Sequence, residues 1–284
     1  MTRQSQIACL QIRPMPDFDT ALTEALNLAE AAASAGAEFV LLPEYCGGLK
    51  SDGAVLIPPH APEAEHPVVE GLRDFAARRG VWVMIGSLAV TGSREKYINR
   101  GLVIDGVGEV ASRYDKIHMF DIQLSETAVY QESATVAPGN CASVVDTPFG
   151  RVGHTICYDV RFPQLYRDLA HAGAEILTAP AAFTKKTGEA HWHILQRARA
   201  VENMAYMVSP CAIGAVPGGG EAYGHSIVVG PWGDVVADGG DIPGVVHATI
   251  DTAKVAEARS KIPCLTHDRP FESAAATRAK VAAE

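Results

Sequence analysis

Two ten-residue segments of the sequence resemble each other: AGAEFVLLPE at 35–44 and AGAEILTAPA at 172–181. In each, a glycine that can end a helix precedes an apolar run typical of a buried strand, and a proline closes the run. One interpretation is that any helix-to-strand junction favours such residues. The other is that the chain contains two similar halves. Both predict strands that are buried beside helices.

The remaining pattern predicts strands, helices and hairpins in a definite order. Asp17 and Asp19 are candidate caps for a helix that ends at Gly36, and Pro67 marks the start of another. The predicted helices are 17–36, 66–80, 163–173, 188–203 and 252–261. The predicted strands are 6–12, 38–43, 81–90, 207–214, 225–230, 234–239 and 244–251, with hairpins over 97–118 and 142–157.

This order predicts an α/β fold with four layers, α-β-β-α, in which two mixed sheets lie face to face and the helices lie outside. A single doubly wound sheet fits less well, because several hairpins interrupt the alternation of strands and helices. With 284 residues, 48% of them hydrophobic, the chain is predicted to form a single domain over 1–284. Its core is placed at about 5–270, and 271–284 is predicted to be a frayed tail.

The formal net charge of -9 and the lack of a basic block argue against nucleic acid or an anionic membrane surface as a partner. An acidic substrate would therefore need a local cation. We expect a cytoplasmic protein, because the start of the sequence has no signal-peptide pattern and VWVMIGSLAV is too short to span a bilayer. The six cysteines are scattered and are expected to be free thiols.

One cysteine lies at a position suited to chemistry. Cys157 ends the apolar run RVGHTIC, and Pro163 can start a helix soon after it. A side chain on such a strand-to-helix turn is held firmly, and nearby amides can bind an oxyanion. Because a free thiol is mostly protonated at neutral pH, a nucleophilic role requires a neighbouring base or cation. Taken alone, a cysteine at the end of a strand is more often a structural residue.

Two other segments supply the missing groups. Glu44 directly follows a buried strand and a proline, and Lys116 follows a predicted strand in SRYDKIHMFD. Each alone could be a solvated surface residue. A carboxylate and an ammonium in one cleft with Cys157 would together make an acyl-transfer catalyst.

The three segments together resemble the nitrilase superfamily of carbon–nitrogen hydrolases, whose members carry a Glu-Lys-Cys triad in this order. LLPEY is similar to the glutamate motif, YDKIHMFD to the lysine motif and GHTICYDVRFP to the cysteine motif, and the similarity runs from about residue 5 to 270. The resemblance implies the α-β-β-α sandwich, a homodimer or larger assembly, and no cofactor or metal.

The resemblance also implies roles for individual residues. Glu44 would be the general base, Cys157 the nucleophile that forms a thioester, and Lys116 an oxyanion donor together with the backbone amide of Tyr158. Glu132, in YQESATVAPG, matches a second glutamate that supports the catalytic site, with a surface acid as the alternative.

Substrate contacts are expected from Arg161, Tyr158 and His191. Arg161 matches a position that can hold a substrate carboxylate, and a buried ion pair with Asp159 is its alternative. CYDVRFP is similar to the branch of omega-amidases and deaminated-glutathione amidases. This implies hydrolysis of a small carboxylate-bearing amide, with release of ammonia.

The chain departs from this branch at one place. The branch commonly reads AHWE where this sequence has His191, Trp192 and His193, which puts the substrate pocket in question. A metal site made of His191 and His193 is not expected, because residues i and i+2 face different sides of a helix and no third ligand is evident. A nitrilase or N-carbamoyl hydrolase with the same triad, and a non-catalytic binding protein, remain alternatives.

Overall fold

The computed structural model describes residues 4–92, 96–126 and 129–272, and in these ranges the chain forms five α-helices and twenty strands. Part of the predicted tail, 273–284, lies outside the described residues. The helices are α1 (Phe18–Ser34), α2 (Pro67–Arg79), α3 (Pro163–His171), α4 (Lys185–Asn203) and α5 (Ala253–Lys261). Short 3-10 turns lie at Glu63–Glu65, Glu132–Ala134, Cys157–Arg161 and Cys264–His267. None of the helices in the described ranges has the length and apolar composition of a transmembrane span.

The strands form two large sheets and three small ribbons. They are β1 (Gln4–Gln11), β2 (Phe39–Leu41), β3 (Ser51–Asp52), β4 (Val55–Leu56), β5 (His60–Ala61), β6 (Trp82–Thr91), β7 (Tyr97–Ile104), β8 (Val110–Asp115), β9 (Asp121–Gln123), β10 (Val129–Gln131), β11 (Val136–Ala137), β12 (Ser143–Thr147), β13 (Gly150–His154), β14 (Ile176–Thr178), β15 (Tyr206–Ser209), β16 (Ile213–Ala215), β17 (Glu221–Tyr223), β18 (Ile227–Val229), β19 (Val235–Asp238) and β20 (Gly244–Asp251). The first sheet has the order β11-β7-β6-β2-β1-β20, with β5 and β8 attached, and the second has the order β12-β13-β14-β15-β18-β19.

Alternating side chains divide the strands between two apolar layers, as the period of two in a strand requires. On β1, Ile7 and Cys9 pack between the sheets with residues of the second sheet such as Ile176, whereas Ala8 and Leu10 pack against α1 and α2. The second sheet has the same division, with α3 and α4 on its outer face. The predicted α-β-β-α sandwich is therefore confirmed.

The repeated segment occupies matching positions in the two sheets. β2 is parallel to both of its neighbours, β1 and β6, and β14 is parallel to both of its neighbours, β13 and β15. Gly36 and Gly173 end the preceding helices at φ of 96° and 94°. These matching positions favour the interpretation that the chain has two similar halves.

The predicted strand 207–214 is divided in the structure. Pro210 has no amide hydrogen to continue the ladder, so β15 ends at Ser209 and β16 leaves the sheet to pair with β17. This β16–β17 ribbon and the small β3–β4 ribbon, which the sequence did not predict, contribute residues to the wall of a cavity that also contains Cys157.

Candidate active site

Cys157 lies on a tight turn between β13 and α3. Its backbone has φ of 49°, in the left-handed region, and its amide donates to the carbonyl of Pro180 at 2.9 Å. A non-glycine residue held in this conformation is typical of a functional turn. Tyr158 follows at the start of the 3-10 turn, where the first amides have no acceptor within the turn.

Asp159 fixes this turn to the segment that carries Lys116. Its Oδ2 accepts from the Ile156 amide at 2.9 Å and from the Tyr114 hydroxyl at 2.7 Å. Its Oδ1 lies 3.0 Å from the His118 amide and 2.7 Å from His118 Nδ1. Because Tyr114 and His118 flank Lys116 in sequence, the carboxylate sets the distance between the lysine and the cysteine.

Glu44 follows β2 and Pro43 at the end of the first sheet. The next residue, Tyr45, has φ of 53°, and its amide donates to Ser87 Oγ at 3.1 Å. Glu44 Oε2 accepts from the amide of Ala182 at 2.9 Å, across the interface between the two sheets. This contact explains how the carboxylate is held at the junction of the two halves.

Lys116 lies between two carboxylates in the interior. Its Nζ donates to Glu44 Oε1 at 2.8 Å and to Glu132 Oε1 and Oε2 at 3.0 and 2.9 Å. The side chains are only 2%, 3% and 4% exposed for Lys116, Glu44 and Glu132. The surface alternatives for these three residues are therefore wrong.

The two carboxylates keep Lys116 charged. Burial alone would lower the pKa of Lys116, but the negative charges of Glu132 and Glu44 outweigh burial and raise this pKa well above its ordinary value. Glu132 is itself held by the Phe120 amide at 2.7 Å and the Tyr45 hydroxyl at 3.2 Å. The predicted supporting position of Glu132, beside Lys116, agrees with this geometry.

Burial raises the pKa of the Cys157 thiol well above its ordinary value; the Glu44 carboxylate, which forms a hydrogen bond with it, adds to the shift, and the Lys116 ammonium opposes it. The thiol is thus protonated at neutral pH and needs a base to become a nucleophile. Glu44 is the carboxylate that contacts it.

One cavity joins the predicted groups. Its wall contains Glu44, Lys116, Glu132, Cys157 and Tyr158. The rest of the wall is mainly apolar, and its other polar members are two threonines, one tyrosine and one acid: Leu49, Gly53, Leu56, Phe120, Tyr130, Ala182, Phe183, Thr184, Thr187, Val216, Gly219, Gly220 and Glu221.

Arg161 and His191 are not among the residues that line the cavity, but Arg161 lies beside two that do. The Arg161 guanidinium carbon is 5.7 Å from the centre of the Tyr158 ring and 5.4 Å from that of Phe183, and both rings line the cavity. Arg161 Nη2 is 3.3 Å from His191 Nδ1. Asp159 takes its described hydrogen bonds from Tyr114, Ile156 and His118, so the alternative of an Arg161–Asp159 ion pair is not what the structure has.

Sequence reasoning missed two residues of the site. Asn99 is fully buried and donates from Nδ2 to Glu44 and Glu132, and Ala182 supplies the amide that holds Glu44. Asn99 lies on β7 within the predicted hairpin, where a buried amide among apolar residues was the available signal. Ala182 has no local signal, because its role depends on the contact between the sheets.

His193 has partners that the sequence did not reveal. It points away from His191, as the helical spacing predicted, and its Nε2 is 2.8 Å from Asp238 Oδ2. His225 Nδ1 lies 2.9 Å from the other oxygen of the same carboxylate. The fold brings His225 and Asp238 to His193, and His191 is not part of this group.

Comparisons with known proteins agree with this geometry. Residues 6–260 match the carbon-nitrogen hydrolase family. The chain is 38% identical over 240 residues to the deaminated glutathione amidase of Yersinia enterocolitica, covering 83% of each protein. It is 35% identical over 264 residues to the omega-amidase NIT2 of Homo sapiens, covering 93% of this chain and 95% of that protein.

A solved structure agrees as well. Saccharomyces cerevisiae Nit3, a member of branch 10 of the nitrilase superfamily, superposes with a TM-score of 0.82 at 29% identity, covering 95% of this chain and 97% of that one. With the fold, the buried triad and these relatives in agreement, the chain belongs to the carbon–nitrogen hydrolase family of the nitrilase superfamily and is an enzyme that hydrolyses carbon–nitrogen bonds other than peptide bonds.

Proposed function

We propose that the protein hydrolyses a small amide that carries a carboxylate elsewhere, such as the omega-amide of a 2-oxo dicarboxylic acid or a deaminated glutathione. The observation that carries this proposal is the convergence of Glu44, Lys116 and Cys157 on one cavity. The names of the relatives, omega-amidase and deaminated glutathione amidase, support the choice of substrate class.

In the first half-reaction Glu44 takes the thiol proton while Cys157 Sγ attacks the amide carbonyl. The oxyanion would be bound by Lys116 Nζ and the amide of Tyr158, and one such donor is typically worth about 3 kcal/mol. When the tetrahedral intermediate collapses, the carbon–nitrogen bond breaks and the nitrogen leaves with the proton held by Glu44. A thioester on Cys157 remains.

In the second half-reaction Glu44 removes a proton from water, and the resulting hydroxide attacks the thioester. The carboxylic acid leaves and the thiol is restored. The net reaction consumes one water and releases one acid and one amine; the amine is ammonia for a primary amide. General base catalysis of this kind typically contributes about 10² to 10⁴ in rate.

We assign the substrate carboxylate to Arg161, oriented by His191, with Tyr158 in contact with the substrate. The overall charge of -9 makes a local cation necessary for an acidic substrate, and Arg161 stacks on two rings of the cavity wall. The Arg161→Leu variant should lower kcat/KM for a carboxylate-bearing amide by about 10- to 100-fold, mainly through KM. It should change turnover of a neutral amide much less; an equal loss for both would contradict the assignment.

The main test is a substrate panel: 2-oxoglutaramate, deaminated glutathione, a simple nitrile and an N-carbamoyl amino acid, with the acid and amine products both measured. We expect turnover of the first two. Turnover of only the nitrile or only the carbamoyl compound would replace this proposal by the alternative with the same triad. Cys157→Ala should abolish turnover while the exposed control Cys141→Ala retains it; full activity of Cys157→Ala would overturn the nucleophile assignment.

We also propose one domain over 1–284 and a cytoplasmic location. The apolar layer shared by the two sheets supports the single domain. The six free cysteines, four of them buried, support a reducing compartment. Limited proteolysis that yields two separately folded halves would contradict the single domain. Fractionation of the source cells tests the cytoplasmic location.

A further inference from the structure

A cluster of three side chains lies outside the catalytic cavity. His193 is on α4, His225 lies between β17 and β18, and Asp238 ends β19. Their candidate ligand atoms all lie within 4.8 Å of one another. None of the three lines the catalytic cavity, so the proposed amide hydrolysis leaves this cluster without a role.

The ligand set is chemically selective. Two imidazoles and one carboxylate suit divalent transition metals such as Zn²⁺, Co²⁺ and Ni²⁺, whereas Mg²⁺ and Ca²⁺ prefer oxygen ligands. Metal–ligand bonds of about 2.0–2.2 Å place neighbouring ligand atoms roughly 3.3–3.6 Å apart. The present separations between each histidine and Asp238, 2.8 and 2.9 Å, are shorter than this, and all candidate ligand atoms lie within 4.8 Å of one another, so side-chain rotation can bring them to metal-binding distances.

The three side chains are held in place before any ion binds. His225 has φ of 54°, its amide donates to the Gly240 carbonyl at 2.8 Å, and its carbonyl accepts from Trp192 Nε1 at 2.8 Å. Its ring stacks on Tyr223 with centres 4.6 Å apart. Asp238 Oδ1 also accepts from the Gly240 amide at 2.9 Å. Such preorganisation reduces the conformational cost of binding a metal.

Access from solvent is available. The side chains of His193, His225 and Asp238 are 35%, 26% and 28% exposed, so an ion can enter and water can complete its coordination. The carboxylate offers one oxygen to each histidine and can bind the ion with either. We propose that His193, His225 and Asp238 form a binding site for a divalent transition-metal ion with three protein ligands.

His193, one of the three ligands, is also the position at which this sequence departs from the amidase branch that it resembles, where glutamate is common. The three-residue cluster connects α4, through His193, to the segment before β18, through His225, and to the end of β19, through Asp238. Glu221 of β17 lines the catalytic cavity, and Tyr223 of the same strand stacks on His225.

The test uses Co²⁺ as the probe on the full-length protein, because its visible absorption reports coordination by nitrogen and oxygen ligands. We expect one Co²⁺ per chain, and a Kd that rises at least about tenfold in His193→Gln and in His225→Gln. The matched control is His171→Gln, which removes a histidine that pairs with a single carboxylate, Asp268, at 2.7 Å. This control should bind Co²⁺ like the unchanged protein.

Zn²⁺ should raise the Tm of the unchanged protein and of His171→Gln but not that of His193→Gln. His193 lies on the partly exposed side of a helix, so its replacement by glutamine is expected to fold. The proposal is overturned if the unchanged protein binds no Co²⁺ at submillimolar concentration. It is overturned equally if His193→Gln and His225→Gln keep the original Kd, which would leave the cluster as a hydrogen-bonded contact only.

Discussion

The side-chain amide of Asn99 bridges the two buried carboxylates of the active site. Its Nδ2 donates to Glu44 Oε1 at 2.9 Å and to Glu132 Oε1 at 3.3 Å, and its carbonyl oxygen on the backbone accepts from the Lys116 amide at 2.9 Å. Asn99 is fully buried and does not line the cavity. It is therefore a positioning residue, which holds the base and the ammonium without touching the substrate.

Replacing Asn99 by leucine should lower kcat about 10- to 100-fold, because a hydrogen bond to a charged group is worth about 1.5–3 kcal/mol. KM should change much less, since the cavity wall is kept. Steady-state kinetics of amide hydrolysis measure both constants, and the exposed Asn140→Leu serves as the control. A variant with lower stability and unchanged kcat would show that Asn99 has only a structural role.

Asp159→Asn should lower both stability and activity. Oδ2 of Asp159 accepts two hydrogen bonds, and Oδ1 faces two nitrogens of His118. In the asparagine variant an NH₂ group would replace one of these oxygens, so it would face at least one other hydrogen-bond donor. We expect a loss of about 2–3 kcal/mol in the free energy of unfolding. Urea unfolding measures this loss.

The matched control for Asp159 is Asp146→Asn, which alters an exposed pair with Arg151 and should change the free energy of unfolding by less than about 0.5 kcal/mol. Tyr114→Phe removes one donor to Asp159 and should cost about 1 kcal/mol. If Asp159→Asn were as stable and active as the unchanged protein, the turn that carries Cys157 would not depend on this carboxylate.

Acid should destabilise the protein through His154. Burial lowers the pKa of this side chain to about 4, and neither of its ring nitrogens has a hydrogen-bond partner among the described residues. In the unfolded chain the pKa is about 6.5. The unfolded state therefore binds the proton first, so stability is complete above about pH 6.5 and declines as the pH falls toward 4.

His154→Leu should remove this part of the pH dependence. The loss of unfolding free energy between pH 7 and pH 5 should be smaller in the variant by about 2 kcal/mol. Comparing the two pH values within each protein cancels the effect of the substitution on packing. Equal losses in the variant and the unchanged protein would contradict a neutral buried His154.

Much of the fold could be predicted because it depends on local patterns. Asp17 caps α1 by accepting from the Thr20 amide at 2.9 Å, and Gly80 ends α2 at φ of 64°. The apolar alternation along β1 and the parallel strands after Gly36 and Gly173 also follow from short segments. The triad residues lie at strand ends, where the layered fold places functional side chains.

The remainder of the site could not be predicted, because it depends on contacts between distant segments. The amide of Ala182 donates to Glu44, 138 residues away in sequence, and Asp238 at the end of β19 contacts His193 of α4 and His225. Arg161 packs over two aromatic rings of the cavity wall, and its own segment did not indicate this contact. No periodicity or spacing in the sequence predicts contacts between segments so far apart in the chain.

We propose that the protein assembles as a homodimer or a larger homo-oligomer, and one exposed surface supports this. Ile194 and Val201 lie two turns apart on α4 and are 71% and 42% exposed, and Trp232 is 59% exposed. The turn that carries Trp232 adjoins this helix face, because the Gly233 carbonyl accepts from Arg197 Nε at 2.8 Å. Large apolar side chains exposed on neighbouring segments are typical of an interface.

A charge at Ile194 should weaken assembly through that surface. Ile194→Lys is expected to raise the dissociation constant of the oligomer at least about tenfold, because association would bury an unpaired ammonium. Sedimentation velocity over a range of concentrations measures the change. Val107→Lys is the matched control, since Val107 is 73% exposed on a turn between β7 and β8. An unchanged oligomer in Ile194→Lys, or a monomer in the unchanged protein, would contradict assembly through this face.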